Sequence, residues 1–381
     1  MKAIITGGGI GGLAAAVALR QASVEAVVFE RAPELRGIGA GVALWANATK
    51  VLRSLGLYEP VREAGAEIGG EVRSWKGRKL FSFSTAELRS RFGEANLAIH
   101  RADLHSALLA ALPEGVVRLD AELVGFEQNV GNVVARFAGG WEETGDLLVG
   151  ADGLRSVVRA RVLRDGPPRY AGFTAWRGVV EGADGILPEG GGLNVWGRGT
   201  ELGVANIGRG RAYWYATKNT PEGEPEGAGR REEVLEILER RDRPGDAFRS
   251  AVEATEEASI LRTDLYDREP VGRWGTGRVT LLGDAAHPMT PSLGQGACQA
   301  IEDAAVLADA LRGAKSAAEA LRSYERRRVG RTASIVLRSR RMGRVMQSEN
   351  PLVCGLRDAL GATVPAGTRL RMLDPVVGYE V

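Results

Sequence analysis

Three short segments hold residue types whose spacing permits chemistry. The first, Gly7-Gly8-Gly9-Ile10-Gly11-Gly12, satisfies G-x-G-x-x-G. Glycines so spaced allow a tight turn and a close backbone approach to a pyrophosphate, while a following helix points its N-terminus at the phosphates. Glu30 stands 18 residues after Gly12, where a carboxylate can accept hydrogen bonds from a ribose 2′-OH. That pairing favours an unphosphorylated ribose, hence FAD or NAD rather than NADP as the tightly held ligand. The second segment runs from Gly150-Ala151-Asp152-Gly153 to Ser156 and Arg159; read alone, it is a capped helix start with a structural aspartate. The third runs from Gly283-Asp284 through His287, Pro291 and Gly294-Gln295-Gly296-Ala297-Cys298 to Glu302-Asp303. Here Asp284 can hold a sugar-alcohol chain, and the N–H groups after Gly294 open a helix aimed at a negative centre.

Such turns need strand ends to carry them. Ala3–Thr6 and Ala26–Phe29 read as short buried strands flanking a helix over Leu13–Ala22, and Asp146–Gly150 and Val279–Leu282 read as two more. Apolar runs feeding glycines and then helices predict a parallel sheet whose carboxyl ends carry the ligand. From about Tyr170 to Asp264 the texture changes to aromatic and β-branched segments divided by glycine-rich turns, which predicts antiparallel sheet. In it Tyr213 and Tyr215 share one face, either walling an aromatic pocket or packing as ordinary sheet. Arg177 pairs either with an anionic substrate or with a neighbouring carboxylate; Asn194, Trp196 and Asn206 are further pocket candidates. Pro221–Gly229 reads as a loop and Arg230–Arg241 as a solvated helix face. After Gly294 the chain is mostly helical, with Leu321, Tyr324, Ile335 and Met342 expected on one face of a long helix.

Composition narrows the classes. A chain of 381 residues, 44% of them hydrophobic, has material for two or three compact units. Its 50 basic and 48 acidic residues give a net charge of only +2, which argues against a nucleic-acid partner. The cluster Arg338 to Arg344 reads as a solvated face. Two distant cysteines, Cys298 and Cys354, argue against a disulfide framework or zinc site and fit a reducing, cytoplasmic setting. The apolar stretch at the N-terminus is too short for a signal-peptide core, and no run of about 18 apolar residues predicts a membrane span. No nucleophile constellation and no metal site stand out. His287 invites an acid or base role but reads as turn packing, His100 and His105 fall near Arg101, and Cys298 reads as a buried thiol.

The three segments, in this order and with these separations, resemble the single-component FAD-dependent aromatic hydroxylases, the para-hydroxybenzoate hydroxylase family. The branch they resemble more closely is that of salicylate hydroxylase, urate hydroxylase and zeaxanthin epoxidase. The resemblance covers nearly the whole chain and extends to Gly39-Ala40-Gly41-Val42, Asn47, Leu52–Leu57, His100–Leu104, Tyr170–Gly178, Trp196–Gly199 and Gly378-Tyr379. It departs at Gly8, where alanine is common, and at Ala46, where proline often precedes Asn47. The resemblance implies that Gly7, Gly9 and Gly12 cradle the pyrophosphate, Glu30 binds the adenosine ribose and Arg31 lies beside the adenosine. Gly41, Val42 and Arg101 would join the cofactor site, Arg101 at the ribityl and phosphate region, with Asp284 on the ribityl hydroxyls. Asp152 would belong to a motif serving both FAD and the reduced nicotinamide. Pro291 and the turn Gly294, Gly296, Ala297 would lie along the isoalloxazine. Arg177 and Tyr215 stay candidates for the substrate side from their own strand positions.

The implied fold is α/β: a Rossmann-like FAD-binding domain with a parallel sheet (residues 1–72, 98–169 and 265–345), an antiparallel-sheet substrate domain (73–97 and 170–264) and a C-terminal helical segment (346–381). The implied activity is that of a monooxygenase. NADH or NADPH, docking transiently because no second glycine fingerprint occurs, reduces the flavin, and O2 gives a C4a-hydroperoxide that hydroxylates or epoxidises a small aromatic or conjugated substrate. A monomer or homodimer is expected. Two alternatives stay open at this point: an FAD-dependent dehydrogenase or reductase that inserts no oxygen, and a non-catalytic FAD-binding protein.

Overall fold

The computed structural model describes residues 1–35, 40–182, 187, 191–227, 229–239 and 246–381. Gly39 of the resembling stretch and Arg240 and Arg241 of the charged helix lie outside them. The first sheet is parallel, in the spatial order Val279–Leu281, Leu147–Gly150, Lys2–Thr6, Glu25–Phe29, Val117–Arg118. Its inner strands are near-continuous apolar runs because both faces are covered, one by the helix Ile10–Gln21 and the other by the antiparallel strands Leu123–Gln128, Val133–Phe137 and Glu142–Gly145. Thr6 is in register with Gly150, and Gly150 with Leu281. The three chemical segments therefore leave three adjacent strands at the same edge, about 4.8 Å apart from one to the next.

The glycine turn leads into the helix Ile10–Gln21, which starts three residues earlier than the apolar spacing suggested. Its small residues let the helix Gly296–Leu311 come close: a Cβ on Gly11 would stand 3.2 Å from the Ala300 Cβ.

A seven-stranded sheet forms the second layer, in the order Leu261–Asp267, Arg169–Glu181, Arg211–Asn219, Thr200–Asn206, Gly192–Trp196, Gly70–Ser74, Lys79–Phe83. Its pairings are antiparallel except one: Gly70–Ser74 lies parallel to Gly192–Trp196. That hairpin arrives from a distant part of the chain, so no tight turn sets its direction. One face of this sheet, with Trp176, Leu202, Val204 and Trp214, is buried against the helices Arg230–Glu239 and Asp246–Ala254. The charged helix is thus amphipathic rather than merely solvated. Val234, Ile237 and Leu238 are buried, and Glu233 accepts the Trp176 indole N–H at 2.7 Å.

The long helix Ala317–Met346 buries Leu321, Tyr324 and Ile335 as expected, whereas Met342 is exposed. A strict seven-residue spacing drifts by about 20° per heptad around an α-helix. By this end the inward face is Ser339, Gly343 and Met346, and Gly343 is small because a Cβ would lie 2.8 Å from the Ser292 Oγ. The C-terminal helix Ala366–Val377 closes the fold by packing Val376 and Val377 against Ala46, Leu88 and Phe92.

Arg328 on the long helix is fully buried and meets two fully buried carboxylates of the helix Gly296–Leu311. It donates to Asp303 at 2.6 Å, to Glu302, and to the Gln299 side chain at 2.7 Å. Arg331 donates twice to Glu302 at 2.7 Å and once each to the carbonyls of Pro375 (3.0 Å) and Val376 (2.9 Å), and lies 4.0 Å over the Tyr379 ring. Asp303 also takes the Gly283 N–H at 3.0 Å and lies 2.6 Å from His287 Nε2. Burial works against charge on both acids. His287 and Arg328 nevertheless hold Asp303 below the ordinary aspartate range, and Arg331 and Arg328 do the same for Glu302.

Removing one member leaves buried charge uncompensated, so Arg328→Met is expected to lower the unfolding free energy by about 3–5 kcal/mol, read from urea titration. Both acids have depressed native pKa values. Their stabilisation is complete above about pH 4, where unfolded carboxylates ionise, and is lost as pH falls through the lower native values. The wild-type urea midpoint should fall between pH 6 and pH 3.

Candidate active site

The glycine turn is shaped by contacts no other residue tolerates. Gly7 has φ +104°, and a Cβ there would overlap the Ala151 carbonyl of the neighbouring segment; a Cβ on Gly12 would overlap the Gly7 oxygen. Gly9 is the opposite case, since a Cβ there would meet nothing within 4 Å, so its backbone borders free space. The first helical bond runs from Leu13 N–H to the Gly9 carbonyl at 3.0 Å, and no side chain caps this helix. The N–H groups of Ile10, Gly11 and Gly12 therefore have no helical acceptor. Glu30 accepts from the Gly8 N–H at 2.7 Å and the Ala32 N–H at 3.0 Å, which leaves carboxylate lone pairs for a ligand. Arg31 and Arg101 are exposed nearby, Arg101 opening the helix Arg101–Ala110. His105, which the spacing alone did not single out, lies with Nε2 2.6 Å from the Gly8 carbonyl, and His100 Nδ1 accepts the Ala102 N–H at 3.1 Å, capping its helix.

The second segment is built around its aspartate. Asp152 accepts from the Ser156 hydroxyl at 2.5 Å and from the N–H groups of Val157 (2.7 Å) and Val158 (3.3 Å). Its carboxylate is thus engaged with the start of the helix Val157–Leu163, and burial holds it above the ordinary aspartate range despite those bonds. Arg159, buried one turn on, joins the second segment to the third. It donates to the carbonyls of Ala285 at 2.9 Å and Ala286 at 2.7 Å, and to Asp165 at 2.8 Å. Nothing in its spacing marked that role.

The third segment supplies an open helix start. Asp284 is exposed and has no protein hydrogen-bond partner among the described residues; its Oδ1 lies 3.9 Å from where a Cβ on Gly296 would be. Pro291–Leu293 form a single 3-10 turn that ends at Gly294 with φ +60°, beneath the Trp45 indole. The helix Gly296–Leu311 has no side-chain cap, and its first bond is Gln299 N–H to the Gln295 carbonyl at 2.8 Å. The N–H groups of Gly296, Ala297 and Cys298 are thus left without helical acceptors. Around this end Trp45 Nε1, Gln295 Nε2 and Asn47 Oδ1 are buried without partners among the described residues. Ala46 occupies the first position of the helix Ala46–Ser54, where proline is readily accommodated, so its replacement of proline keeps the helix start. Cys298 is buried between Gly41–Leu44 and this helix, receiving the Trp45 N–H at 3.4 Å. His287 packs on Trp274 with its Nε2 on Asp303.

Facing these turns is the side of the seven-stranded sheet turned away from the helices Arg230–Glu239 and Asp246–Ala254. Tyr213 and Tyr215 lie on it together, ring centroids 6.1 Å apart, while Trp214 points to the opposite core. The Tyr213 ring lies against Gly41, where a Cβ would come within 2.6 Å of ring carbon Cδ1. Gly41 and Val42 thereby connect the cofactor side to the sheet. Arg211 and Arg209 dock the same sheet on Asp103, the latter at 3.2 Å. Arg177, paired across from Tyr215, donates to the Thr263 hydroxyl at 3.2 Å and has no carboxylate partner among the described residues. Asn194 lies beside Tyr215, Trp196 packs with Val72, Leu80 and Met346, and Asn206 accepts the Gly208 N–H at 2.8 Å in a turn.

Two helix N-termini without side-chain caps, each following a turn at the same edge of the parallel sheet, together with the carboxylate of Asp284, which has no partner among the described residues, suit a ligand that is phosphate-rich at one end and flat and electron-accepting at the other, as in a flavoprotein. Comparison with known proteins makes this specific. The chain belongs to the family described as FAD binding domain, whose pattern matches residues 1–339. It is 41% identical over 361 residues to the aurachin C monooxygenase/isomerase of Stigmatella aurantiaca, covering 94% of this chain and 93% of that one. It is 35% identical over 378 residues to the 3-amino-4-hydroxybenzoate 2-monooxygenase of Streptomyces cremeus, covering 94% and 91%. The crystal structure of Klebsiella pneumoniae HpxO complexed with FAD and uric acid superimposes with a TM-score of 0.91 at 30% identity, covering 99% of this chain and 96% of that one. The protein is an FAD-dependent monooxygenase of the class A aromatic hydroxylase family, an oxidoreductase that draws on NAD(P)H. The comparisons support oxygen insertion over the two alternatives. No helix among the described residues is long and apolar enough to cross a membrane.

Burial pushes the Cys298 thiol up to about 12, so almost no thiolate exists near neutrality. A disulfide reagent at pH 7–9 is expected to leave Cys298 unmodified in the native protein and to label it after urea unfolding, with the modified peptide identified by mass spectrometry.

Proposed function

We propose that this protein inserts one atom of O2 into a small, electron-rich aromatic or conjugated ring held between the turn Pro291–Ala297 and the sheet face of Arg177, Tyr213 and Tyr215. The observation that carries this reading is the helix start at Gly296: a helix N-terminus without a side-chain cap, beside the exposed Asp284, which has no hydrogen-bond partner among the described residues, and across from an aromatic sheet face. The relatives' names speak of aurachin C and 3-amino-4-hydroxybenzoate, and the structural neighbour binds uric acid, which supports a ring substrate.

FAD, when bound, takes hydride equivalents from NAD(P)H and supplies the oxygen-activating chemistry. This chain's residues place and stabilise it. Gly7, Gly9 and Gly12 let the backbone approach the pyrophosphate, Glu30 accepts from the adenosine ribose, and Arg31 flanks the adenosine. Arg101 neutralises phosphate charge, and Asp284 accepts from the ribityl hydroxyls. Asp152 acts by shaping its turn, since its carboxylate already holds the next helix. The N–H groups of Gly296 and Ala297, with Pro291 and Gly294 shaping the approach, would offer donors to negative charge on the flavin ring, as an oxyanion hole does. Gly41 and Val42 border the ring together with Tyr213, whose body excludes water.

Incubating the FAD-loaded protein with NADH or NADPH, a panel of phenols and heteroaromatic compounds, and ¹⁸O2 tests the reaction. A product heavier by one ¹⁸O atom is expected, and reductant consumption without label in any product would refute it. Asp284→Ala removes a charged acceptor whose hydrogen bonds are worth about 1.5–3 kcal/mol. FAD should bind about ten- to a hundredfold more weakly by equilibrium titration, while the melting temperature of the apoprotein stays unchanged because the exposed Asp284 makes no hydrogen bond or ion pair among the described residues.

A further inference from the structure

The face of the seven-stranded sheet turned away from the helices Arg230–Glu239 and Asp246–Ala254 carries a carboxylate that spacing alone did not reveal. Alternation along Thr200–Asn206 sends Leu202 and Val204 into the helix-covered core and leaves Glu201, Gly203 and Ala205 on the side of Tyr213 and Tyr215. Glu201 is 7% exposed. The Tyr215 hydroxyl lies 2.8 Å from its Oε1 and 2.9 Å from Asn194 Oδ1. Tyr215 reaches both by laying its ring across Gly203, where a Cβ would come within 2.5 Å of ring carbon Cζ.

A buried carboxylate is normally met by a guanidinium or by several N–H donors. Glu201 has neither among the described residues. Its one hydrogen-bond donor is the Tyr215 hydroxyl, and the nearby Arg357 is engaged with the carbonyls of Gly197 (3.0 Å) and Met346 (3.2 Å) and with Asp358 (2.9 Å). The second carboxylate oxygen is therefore free to accept. Burial pushes Glu201 up to about 7 against the pull of Tyr215 and Arg357, as fits an acceptor still lacking a partner. Across the face, Arg177 is in register with Tyr215, and Tyr215 with Gly203, so two strand spacings of about 10 Å separate Arg177 from the strand of Glu201. The face thus offers an acceptor at one end and a donor fork at the other, with aromatic rings between.

We propose that Glu201, oriented by Tyr215 and Asn194, is a specificity-determining residue that accepts a hydrogen bond from a ring N–H of the substrate. The preferred class is then an N–H heteroaromatic ring whose oxo or hydroxyl oxygen is directed to Arg177, ahead of a simple benzoate. This rests on the substrate face assigned above. A ring without the N–H leaves a desolvated carboxylate unpaired, and sites built to hydrogen-bond a group reject analogues that lack it.

The test uses FAD-loaded protein without reductant, titrated calorimetrically with 4-hydroxyquinoline, which presents a ring N–H in its oxo form, and with N-methyl-4-quinolone. The N–H probe is expected to bind about ten- to a hundredfold more tightly. In Glu201→Met, which leaves Tyr215 its Asn194 partner, the ratio should collapse to within about twofold. If that variant does not fold, Glu201→Gln keeps the shape and should lower the ratio at least threefold. Equal affinity of the wild type for both probes, no binding of either, or an unchanged ratio in the variant would overturn the assignment. Incorporation of ¹⁸O into a product that lacks a ring N–H, alongside equal affinities, would remove the role of Glu201 and leave the monooxygenase reading standing.

Discussion

The guanidinium of Arg328, buried with Glu302 and Asp303, is the constraint on which the site's geometry rests. Charges taken out of water are tolerable only where nearly every donor and acceptor is met, so this cluster admits few arrangements. It fixes the helix Gly296–Leu311 against the long helix through Glu302, Asp303 and Gln299, and it fixes the turn before Asp284 through the Gly283 N–H. The helix start at Gly296 and the carboxylate of Asp284 are thereby held by one network rather than by two independent loops. An apolar contact of equal area would give comparable stability with less control of angle, because dispersion has no direction and hydrogen bonds to charged groups do.

Donors held in this way serve catalysis because they do not reorganise when charge develops. The N–H groups of Gly296 and Ala297 have no side-chain cap to compete with a ligand, and the buried Trp45 and Gln295 nitrogens beside them lack acceptors among the described residues. Polar groups are rarely left unmet inside a protein, and their clustering at one helix end marks a place shaped for something other than the protein itself. The sheet that closes the crevice uses glycine in a different way. Gly41 carries no Cβ where the Tyr213 ring lies against it, so the sheet approaches this turn more closely than any larger residue would allow, and Gly203 carries none where the Tyr215 ring lies across its own sheet.

Much of the cofactor half was legible along the chain because its signals are local. A strand, a glycine turn and a helix succeed one another within about twenty residues, and the turn demands φ values and close approaches that only glycine meets, as at Gly7 and Gly12. The alternation that placed Tyr213 and Tyr215 on one face follows from the period of a strand and needs no knowledge of the partner layer. Where the spacing was sparse, the reading drifted: Met342 fits a seven-residue repeat, yet the long helix turns it outward because Gly343 must face Ser292. The charged run at Arg230 gave no hint that Val234, Ile237 and Leu238 would cover the sheet.

By itself the sequence determined the strand–turn–helix units, the glycines those turns require and the families of contact a carboxylate such as Glu30 or Asp284 can make, since each depends on neighbours a few positions away. The chain also showed Asp152 at a capped helix start, whereas tertiary structure alone decided that Arg159 would tie two turns together and that Glu201 would lie buried beside Tyr215. Those two outcomes depend on partners 14 to 127 positions distant, brought together by sheet register and by the burial of charge. Neither leaves a periodic trace in the chain.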